Sequence, residues 1–278
     1  MKKITKEQII SFKKKLIDEE KAKSTIDQYL RDIFALKKWM INQKLSKKNI
    51  IEYKKFLSKH YTTSSVNTKI SSINSFFSFL GHQELKIKKI IIQKQIFALS
   101  EKELLKEDYL QLLTAAKQKK NKRLYYIIQT ICSTGIRVSE IKNITVDAIN
   151  KGIANITNKG KVRNVFLPEK LCHQLKKYIK QNNIIAGPIF LTRNGLVINR
   201  SNIWKEMKSL SFYANVTKSK IYPHNLRHLF ARTYYSMQKD VVRLADILGH
   251  SNINTTRVYT IESGLVHKKQ IQSLNLVD

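Results

Sequence analysis

Apolar residues recur at helical spacing through most of this chain, and this periodicity constrains the fold more than any other feature of the sequence. The stretch "TSSVNTKISSINSFFSFLG" has small polar residues on one helix face and apolar residues on the other, namely Val66, Ile70, Ile73, Phe77 and Leu80. Only 8 glycines and 3 prolines interrupt the 278 residues, which favours helices over a turn-rich sheet protein. We therefore predict a mainly α-helical chain.

One region departs from helical spacing and predicts a small antiparallel β-sheet. The segments "IANIT" and "VRNVFLP" are rich in residues that favour strands, and the turn-like "NKGK" lies between them, as in a β-hairpin. The apolar stretch "RLYYIIQTICSTG" before it predicts a buried helix that ends at Gly135. Further helices are expected over residues 169–180, 202–213, 225–237 and 241–248.

These patterns predict two domains. Residues 1–90 have the periodicity of a four-helix unit, in which Ser24 and Asp27 resemble a capping box at the start of the second helix. Residues 91–106 show no clean period and are interpreted as a linker. A second domain with mixed helix and sheet is then expected over 107–278.

The net charge of the chain predicts a polyanionic partner. Its 52 Lys and Arg against 20 Asp and Glu give +32. Residues 1–100 carry 22 basic and 8 acidic side chains, or +14, and the rest carries 30 and 12, or +18. A compact chain with this excess repels itself, although a compositional bias toward lysine accounts for part of it. Nucleic acid gripped by two basic lobes is the first candidate, and an anionic membrane surface is the second.

The cysteines and the N-terminus indicate a cytoplasmic protein. Cys132 and Cys172 are the only cysteines and lack neighbours of the metal-binding type, so reduced thiols are expected, with Cys132 buried. The opening "MKKITKEQII" lacks the apolar core of a signal peptide, and no stretch reaches 18 apolar residues. We expect no membrane partner, and association with the nucleoid of a prokaryote.

Four short segments combine basic side chains with helix ends or turns. They are "STGIRVSEI" with Arg137, "NKGK" with Lys159 and Lys161, "YPHNLRHLFA" with His224 and Arg227, and "LGHSNINTTRVYT" with His250 and Tyr259. Two arginines and a histidine can hold one phosphate through charge-assisted hydrogen bonds and stabilise the charge of a pentavalent phosphorane. A lysine on the hairpin could protonate the leaving 5′ oxygen.

Tyr259 admits two interpretations, a packing residue or a nucleophile. A phenol is a weak nucleophile at its free pKa of about 10. A cationic pocket is expected to lower that pKa, and a nearby histidine can take the proton. The phenolate could then attack phosphorus and form a covalent ester.

A metal-dependent phosphodiesterase is the rival chemistry for such a cluster. It needs carboxylates for Mg²⁺, and residues 221–262 offer only Asp240, Asp246 and Glu262. His224 and His228 are spaced for Zn²⁺, but no Glu follows His224 as it does in an HExxH motif. We therefore expect neither a metal nor another cofactor.

Two long motifs resemble those of the tyrosine recombinases, the family of Xer, Cre and phage-type integrases. They are "TGIRVSEI" and "PHNLRHLFARTYY…LADILGHSNINTTRVYT". The resemblance is close over about residues 105–262 and looser over the N-terminal helices. It implies a mainly α fold with a small antiparallel β-sheet, in which a helical SAM-like core-binding domain and an α/β catalytic domain form a C-shaped clamp on DNA.

The resemblance also implies a role for each site residue. Arg137 and Arg227 would clamp the scissile phosphate, His224 would transfer a proton and His250 would hydrogen-bond the phosphate. Tyr259 would be the nucleophile.

The lysine of the hairpin is assigned less directly. The "NKGK" turn is similar to the GKG hairpin of Xer-type members, which favours Lys159 as the catalytic lysine and leaves Lys161 as the alternative. By the same resemblance Glu140 would support the arginine box, and His228 is interpreted as a structural residue.

The function implied is site-specific recombination by a simple Xer- or Cre-like member, through 3′-phosphotyrosyl intermediates and a Holliday junction. The expected partners are double-stranded DNA with inverted-repeat core sites and three further copies of the chain on two such sites, with accessory proteins left open. Residues 264–278 would dock on the neighbouring protomer, or alternatively on their own domain. A type IB-like topoisomerase and a catalytically idle DNA-binding protein are the alternatives.

Overall fold

A computed structural model of the chain describes residues 3–91, 103–158, 161–259 and 272–274. Contacts divide the chain into two compact units, unit 1 at Met1–Lys94 and unit 2 at Gln95–Asp278. The described residues are mostly helical and contain one two-stranded antiparallel sheet, which confirms the predicted fold class. No helix in these ranges is long and apolar enough to cross a bilayer.

Unit 1 is a four-helix assembly followed by a single turn of 3₁₀-helix at Gln83–Leu85. The helices are α1 (Lys6–Asp18), α2 (Lys23–Trp39), α3 (Lys47–His60) and α4 (Thr63–Phe79). Helix α2 packs against α1 and α4, and their apolar faces enclose a core that includes Phe12, Ile33, Ile70 and Phe76. The helical spacing of apolar residues predicted this arrangement.

Helix α2 begins earlier than its sequence indicates. The backbone N–H groups of Thr25 and Ile26 already donate to the carbonyl of Ala22, so Ala22 is the N-cap and it makes no side-chain cap bond. Ser24 therefore lies inside the first turn, where its hydroxyl cannot serve as the cap. The capping box predicted at Ser24 and Asp27 is wrong.

Helix α4 holds the chain that leaves unit 1. The side-chain amide of Asn67 donates to the carbonyl of Ile90 and accepts its N–H, both at 2.8 Å. Asn74 makes the same pair of bonds with Ile87, at 2.8 and 3.0 Å. Each asparagine thus satisfies both backbone polar groups of one residue and holds the segment at 87–90 against α4.

Unit 2 contains eight α-helices within the described ranges and the β-hairpin. They are α5 (Lys106–Gln118), α6 (Lys122–Thr134), α7 (Val146–Lys151), α8 (Glu169–Gln181), α9 (Arg200–Lys208), α10 (Ser211–Ala214), α11 (Pro223–Gln238) and α12 (Val241–Leu248). Strands β1 (Ile153–Asn158) and β2 (Lys161–Phe166) pair antiparallel, with Ile156 opposite Arg163. Short 3₁₀-helices occupy Val138–Asn143, Ile253–Thr255 and Arg257–Tyr259.

Helix α6 forms the centre of unit 2, with Leu124, Ile128 and Ile131 fully buried. It ends at Gly135, which adopts the left-handed conformation at φ +66. A Cβ on Gly135 would lie 2.4 Å from Cδ1 of Phe230 in α11, so only glycine allows α11 to approach this closely. The predicted end of the buried helix at Gly135 is confirmed.

The helix predicted over 202–213 is two helices in the structure. Helix α9 ends at Lys208 and α10 starts at Ser211. The hydroxyl of Ser209 donates to the carbonyl of Glu206 at 2.8 Å, and such a local side-chain bond competes with the helical backbone bonds.

Cys132 in α6 was expected to be buried. In the structure this residue is only partly buried.

Candidate active site

Four separate segments of unit 2 meet around one pair of arginines. Arg137 follows the C-terminus of α6 and Arg227 lies in α11. His250 follows the C-terminus of α12, and Tyr259 ends the last 3₁₀-helix of this region. The structure therefore brings together side chains that are up to 122 positions apart in the chain.

Arg227 connects the C-terminal ends of two helices. The residue is 1% exposed, and its guanidinium donates to the carbonyls of Gly135 at 2.6 Å and Leu248 at 2.8 Å. The last carbonyls of a helix lack partners within the helix and carry a partial negative charge, so a cation is stabilised there. Burial, followed by the charge of Arg137, lowers the pKa of Arg227 to about 10, which leaves the guanidinium charged at neutral pH.

Arg137 is oriented by Glu140, a residue that is itself 4% exposed. The Glu140 carboxylate accepts one bond from Nη1 of Arg137 at 2.9 Å and one from the Arg137 backbone N–H at 2.8 Å. Nη2 of Arg137 donates to the Gly249 carbonyl at 3.2 Å. The side chain keeps 31% of its surface exposed, so one edge remains available to a ligand.

A third arginine, Arg163 of strand β2, completes this cluster. Its Nη2 donates to Glu140 at 2.7 Å and its Nη1 to the Leu248 carbonyl at 3.1 Å. Burial lowers the pKa of Arg163, and the Glu140 carboxylate opposes that effect. Sequence reasoning did not single out Arg163. Its position two residues before the buried Val165 in a strand places it on the inward face and could have identified it.

The hydrogen bonds of His250 define its protonation. Its Nε2 lies 2.9 Å from Nη2 of Arg227 and its Nδ1 lies 2.8 Å from Oγ1 of Thr256. A guanidinium only donates, so Nε2 must accept, and Nδ1 carries the proton that is donated to Thr256. Burial and then the charge of Arg227 lower the pKa of His250 to about 4, consistent with a neutral ring. The fully buried Thr256 was not singled out from the sequence.

Tyr259 is 6% exposed and packs among histidine rings. Its ring centroid lies 5.0 Å from that of His228, edge to face, and 6.3 Å from that of His250. Burial raises the pKa of Tyr259, while the charge of Arg227 and a hydrogen bond from it oppose the rise. The expectation of a lowered pKa is therefore wrong for the free protein, because loss of hydration outweighs the arginine charges.

His224 occupies the first turn of α11, and its ring lies 4.5 Å from that of His228. Packing around the ring, followed by the charges of Arg227 and Arg137, lowers the pKa of His224. The pKa of His228 is lowered to about 4 by burial first and by His224 next. Both rings are therefore neutral at physiological pH in the free protein.

The contacts of the arginine and histidine cluster do not show which of the two candidate lysines belongs to the site. Lys159 lies outside the described residues, and Lys161 is the first residue of strand β2. The choice between them stays a prediction.

An open concavity of about 630 Å³ adjoins the cluster. Arg137, Glu140, Arg163 and His250 contribute to its wall, together with Gly249 and Thr255. The wall thus combines the side chains of Arg137 and Arg163 with the acidic Glu140 and Asp246 around an opening large enough for a phosphate group. Within the described ranges, no three His, Cys, Asp or Glu side chains are grouped as a metal ion would require.

Two family models match this chain. The model of the phage integrase family matches residues 102–263, and that of the phage integrase N-terminal SAM-like domain matches residues 9–84. The chain is 29% identical to tyrosine recombinase XerD of Staphylococcus haemolyticus, over 96% of this chain and 97% of that protein.

Two solved structures of lambda integrase share the fold. One is a dimer bound to a COC′ core site, with a TM-score of 0.73, and the other is a tetramer bound to a Holliday junction, with a TM-score of 0.71. Each is 15% identical in sequence, over 91% of this chain and 76% of that chain. The family model spans more than half of the sequence and covers all four segments of the arginine cluster, so this chain belongs to the phage integrase family of tyrosine recombinases.

Proposed function

We propose that this chain is a site-specific DNA recombinase that cuts and rejoins strands through a 3′-phosphotyrosyl intermediate at Tyr259 and a Holliday junction. One observation carries the proposal. Arg137 and His250 line the same concavity, and Arg227 hydrogen-bonds both His250 and Tyr259. A buried phenol beside two arginines and neutral histidines fits phosphoryl transfer, since the arginines can neutralise a phosphate while the phenol attacks it.

The proposed step forms one bond and breaks one. Oη of Tyr259 attacks phosphorus, and the bond from phosphorus to the 5′ oxygen breaks. His224 takes the phenol proton, directly or through His228, and Lys159 (alternatively Lys161) protonates the leaving 5′ oxygen to give a 5′ hydroxyl. Arg137 and Arg227, which we call the arginine clamp, stabilise the additional charge on the phosphorane. The ester conserves the energy of the broken bond, so religation needs no nucleotide.

The raised pKa of Tyr259 has a consequence for this step. The phenol is protonated in the free protein, so it does not react before DNA arrives. Neutral His224 and His228 lie on the adjacent helix face and can accept the proton once a phosphate occupies the clamp. The site is therefore arranged to ionise its nucleophile only on a bound substrate.

The proposed partners are double-stranded DNA and further copies of this chain. Lambda integrase has been solved as a dimer on a core site and as a tetramer on a Holliday junction, and the net charge of +32 suits a DNA partner. We assign DNA binding to residues 1–90, the linker to 91–106 and catalysis to 107–278. Residues 264–278 would reach the neighbouring protomer, and all but 272–274 of that segment lies outside the described residues.

Covalent trapping tests the proposal. A library of nicked duplexes with random sequence around the nick is incubated with the protein, and DNA that resists denaturant is recovered and sequenced. The wild-type protein should form an adduct that contains a 3′-phosphotyrosine and is insensitive to EDTA. Tyr259→Phe keeps the ring and should retain DNA binding without forming an adduct.

The control for this experiment is Tyr235→Phe, which removes a hydroxyl from the same cluster of aromatic residues and should leave trapping intact. An adduct with Tyr259→Phe would show that another residue is the nucleophile. An assay that joins two marked copies of the recovered site separates recombination from topoisomerase activity, which would relax supercoils without joining them.

A further inference from the structure

Arg163 lies between the two arginines of the clamp and is connected to each by a different acceptor. The Glu140 carboxylate accepts from both Arg137 and Arg163, at 2.9 and 2.7 Å. The Leu248 carbonyl accepts from both Arg227 and Arg163, at 2.8 and 3.1 Å. Arg163 therefore shares one acceptor with each arginine of the clamp.

A second path closes this network. Arg137 donates to the carbonyl of Gly249, which is the residue after Leu248. The two clamp arginines are thus connected on one side through the backbone at 248–249 and on the other through Glu140 and Arg163. Removing Arg163 would leave Glu140 with a single arginine partner. It would also remove the connection that runs from Glu140 through strand β2 to the Leu248 carbonyl.

The packing of Gly249 shows how closely Arg163 is held. A Cβ on Gly249 would lie 2.6 Å from Cδ, 2.8 Å from Nη1 and 2.9 Å from Nε of Arg163. Gly249 also adopts φ +65 as the C-cap of α12. The absence of a side chain at 249 therefore provides the space that the Arg163 guanidinium occupies beside His250.

We propose that Arg163 is a positioning residue that fixes the spacing of Arg137 and Arg227 for the reaction, an inference that rests on the proposed function. Both terminal nitrogens of Arg163 already donate to protein acceptors, and its side chain is 16% exposed against 31% for Arg137. It therefore acts through Glu140 and Leu248, whereas Arg137 keeps an edge for the phosphate.

The first test compares Arg163→Met and Arg163→Lys with the wild-type protein on a nicked duplex recovered by covalent trapping. Methionine keeps the length of the side chain but cannot donate. A displacement of about 1 Å at a reacting group costs about 10²-fold in rate, so adduct formation at saturating DNA should slow by about that factor. The DNA concentration at half-saturation should stay within about threefold, because the other basic residues of a chain with a net charge of +32 remain available to DNA.

Arg163→Lys provides a partial rescue and a folding control. An ammonium group is a compact donor that cannot bridge two acceptors as a planar guanidinium does, so it should recover part of the rate. Arg193→Met, at an exposed turn of unit 2, should react like the wild type. Circular dichroism melting identifies a variant that fails to fold. If Arg163→Met fails to fold, the rate of Arg163→Lys is compared with that of the wild-type protein instead.

A methylphosphonate at the scissile position separates positioning from general damage. It removes the phosphate charge that the clamp neutralises, so the deficit of Arg163→Met should shrink from about 10²-fold to less than about tenfold. The assignment would be overturned if Arg163→Met lost the same factor in rate on the phosphate and the methylphosphonate substrates. A wild-type rate for Arg163→Met on the phosphate substrate would also overturn it. If the wild-type protein traps no DNA at all, the proposed function fails instead.

The free protein gives a readout that needs no DNA. Arginine side-chain NMR should show restricted guanidinium rotation for Arg137 and Arg227 in the wild type and faster rotation in Arg163→Met. Unchanged rotation of both side chains would contradict the positioning role, whatever the outcome of trapping.

Discussion

Among the described residues, each unit buries a carboxylate in a cluster of polar side chains, and the two clusters differ in how the charge is balanced. In unit 1, Asp32 is 2% exposed and accepts from Lys69 at 3.0 Å and from Ser72 at 2.8 Å. Its further partner is the neutral amide of Gln28. One negative charge thus meets one positive charge.

In unit 2 the balance is different. Glu140 lies between Arg137 and Arg163 at 2.9 and 2.7 Å, and Arg227 shares the Leu248 carbonyl with Arg163. Three buried or half-buried arginines therefore surround one buried carboxylate. We infer that the balanced cluster holds α2 and α4 together, whereas the three arginines of unit 2, beside a concavity that Glu140 and Asp246 also line, suit an anion.

The largest expected effect comes from removing a clamp arginine. Arg227→Ala should slow adduct formation by about 10² to 10³-fold at saturating DNA, the usual cost of one charge-stabilising donor. Lys69→Ala removes the cation of the balanced cluster and should leave that rate unchanged. Single-turnover trapping measures both. A similar loss of rate in the two variants would remove the distinction between the clusters.

Breaking the balanced cluster should affect stability instead. Asp32→Ala leaves Lys69 without its partner and should lower the free energy of unfolding of unit 1 by about 3 kcal/mol. Asp32→Leu with Lys69→Leu should recover most of that loss, since apolar replacement of a buried pair is often neutral.

Urea unfolding measures this effect separately in each unit, because Trp39 lies in α2 and Trp204 in α9. With Trp204→Phe in the background, fluorescence reports unit 1 alone. Equal instability of the Asp32 single and Asp32–Lys69 double variants would contradict the assigned role of the pair.

A smaller effect is expected from pH. The folded pKa of His228 and His250 is about 4, below the unfolded value of about 6.5. Between these values the unfolded state binds protons that the folded state does not, so stability present above pH 6.5 is lost as pH falls toward 4. His228 should contribute a loss of up to about 2 kcal/mol at pH 4.5, and His250 should contribute less, because solvent screens its partly exposed ring.

The fluorescence of Trp204, with Trp39→Phe in the background, follows this loss in unit 2. His228→Gln should flatten the pH dependence between pH 6.5 and 4.5. An unchanged slope in that variant would show that other groups govern the acid sensitivity of unit 2.

The smallest expected effect uses two glycines that share a backbone conformation. Gly249 and Gly152 are helix C-caps at φ +65 and +71. A Cβ on Gly152 meets nothing within 4 Å, whereas one on Gly249 meets Arg163. In both Gly→Ala variants, backbone strain should lower the free energy of unfolding by about 1 kcal/mol.

Only Gly249→Ala should also slow adduct formation, by roughly tenfold, because a small displacement of positioned groups is costly. Trapping rates for the two alanine variants test this. A wild-type rate for Gly249→Ala would mean that Arg163 can shift without effect on the clamp.

The periodicity of the sequence predicted the helices and the hairpin because each depends on local spacing. The starting point of α2 and the break between α9 and α10 were missed. These helix boundaries depend on which hydrogen-bond donor reaches the carbonyl of Ala22 or of Glu206. The spacing of apolar residues does not predict such local hydrogen bonds. Short motifs identified Arg137, Arg227, His250 and Tyr259 in one site because each has a distinctive local pattern.

The remaining members of the site could not be found in this way. Strand alternation places Arg163 on the inward face of β2, but its contacts with Glu140 and Leu248 depend on how the hairpin packs. Thr256 depends on how the chain after His250 folds back. The direction of the pKa shift of Tyr259 was also missed. Burial raises this pKa and the arginine charges lower it, and the sequence does not show which effect is larger.

The clamp arginines are held by backbone carbonyls at Gly135, Leu248 and Gly249. An alanine scan replaces side chains and leaves those oxygens in place, so it would miss these acceptors of the site. Replacing Leu248 by another apolar residue should likewise preserve the bond that it makes to Arg227. Leu248 is therefore the support that tolerates sequence drift, whereas Gly135 and Gly249 are restricted by their packing and positive φ. Amide-to-ester substitution of the backbone, which weakens a carbonyl acceptor, is the perturbation that would expose all three.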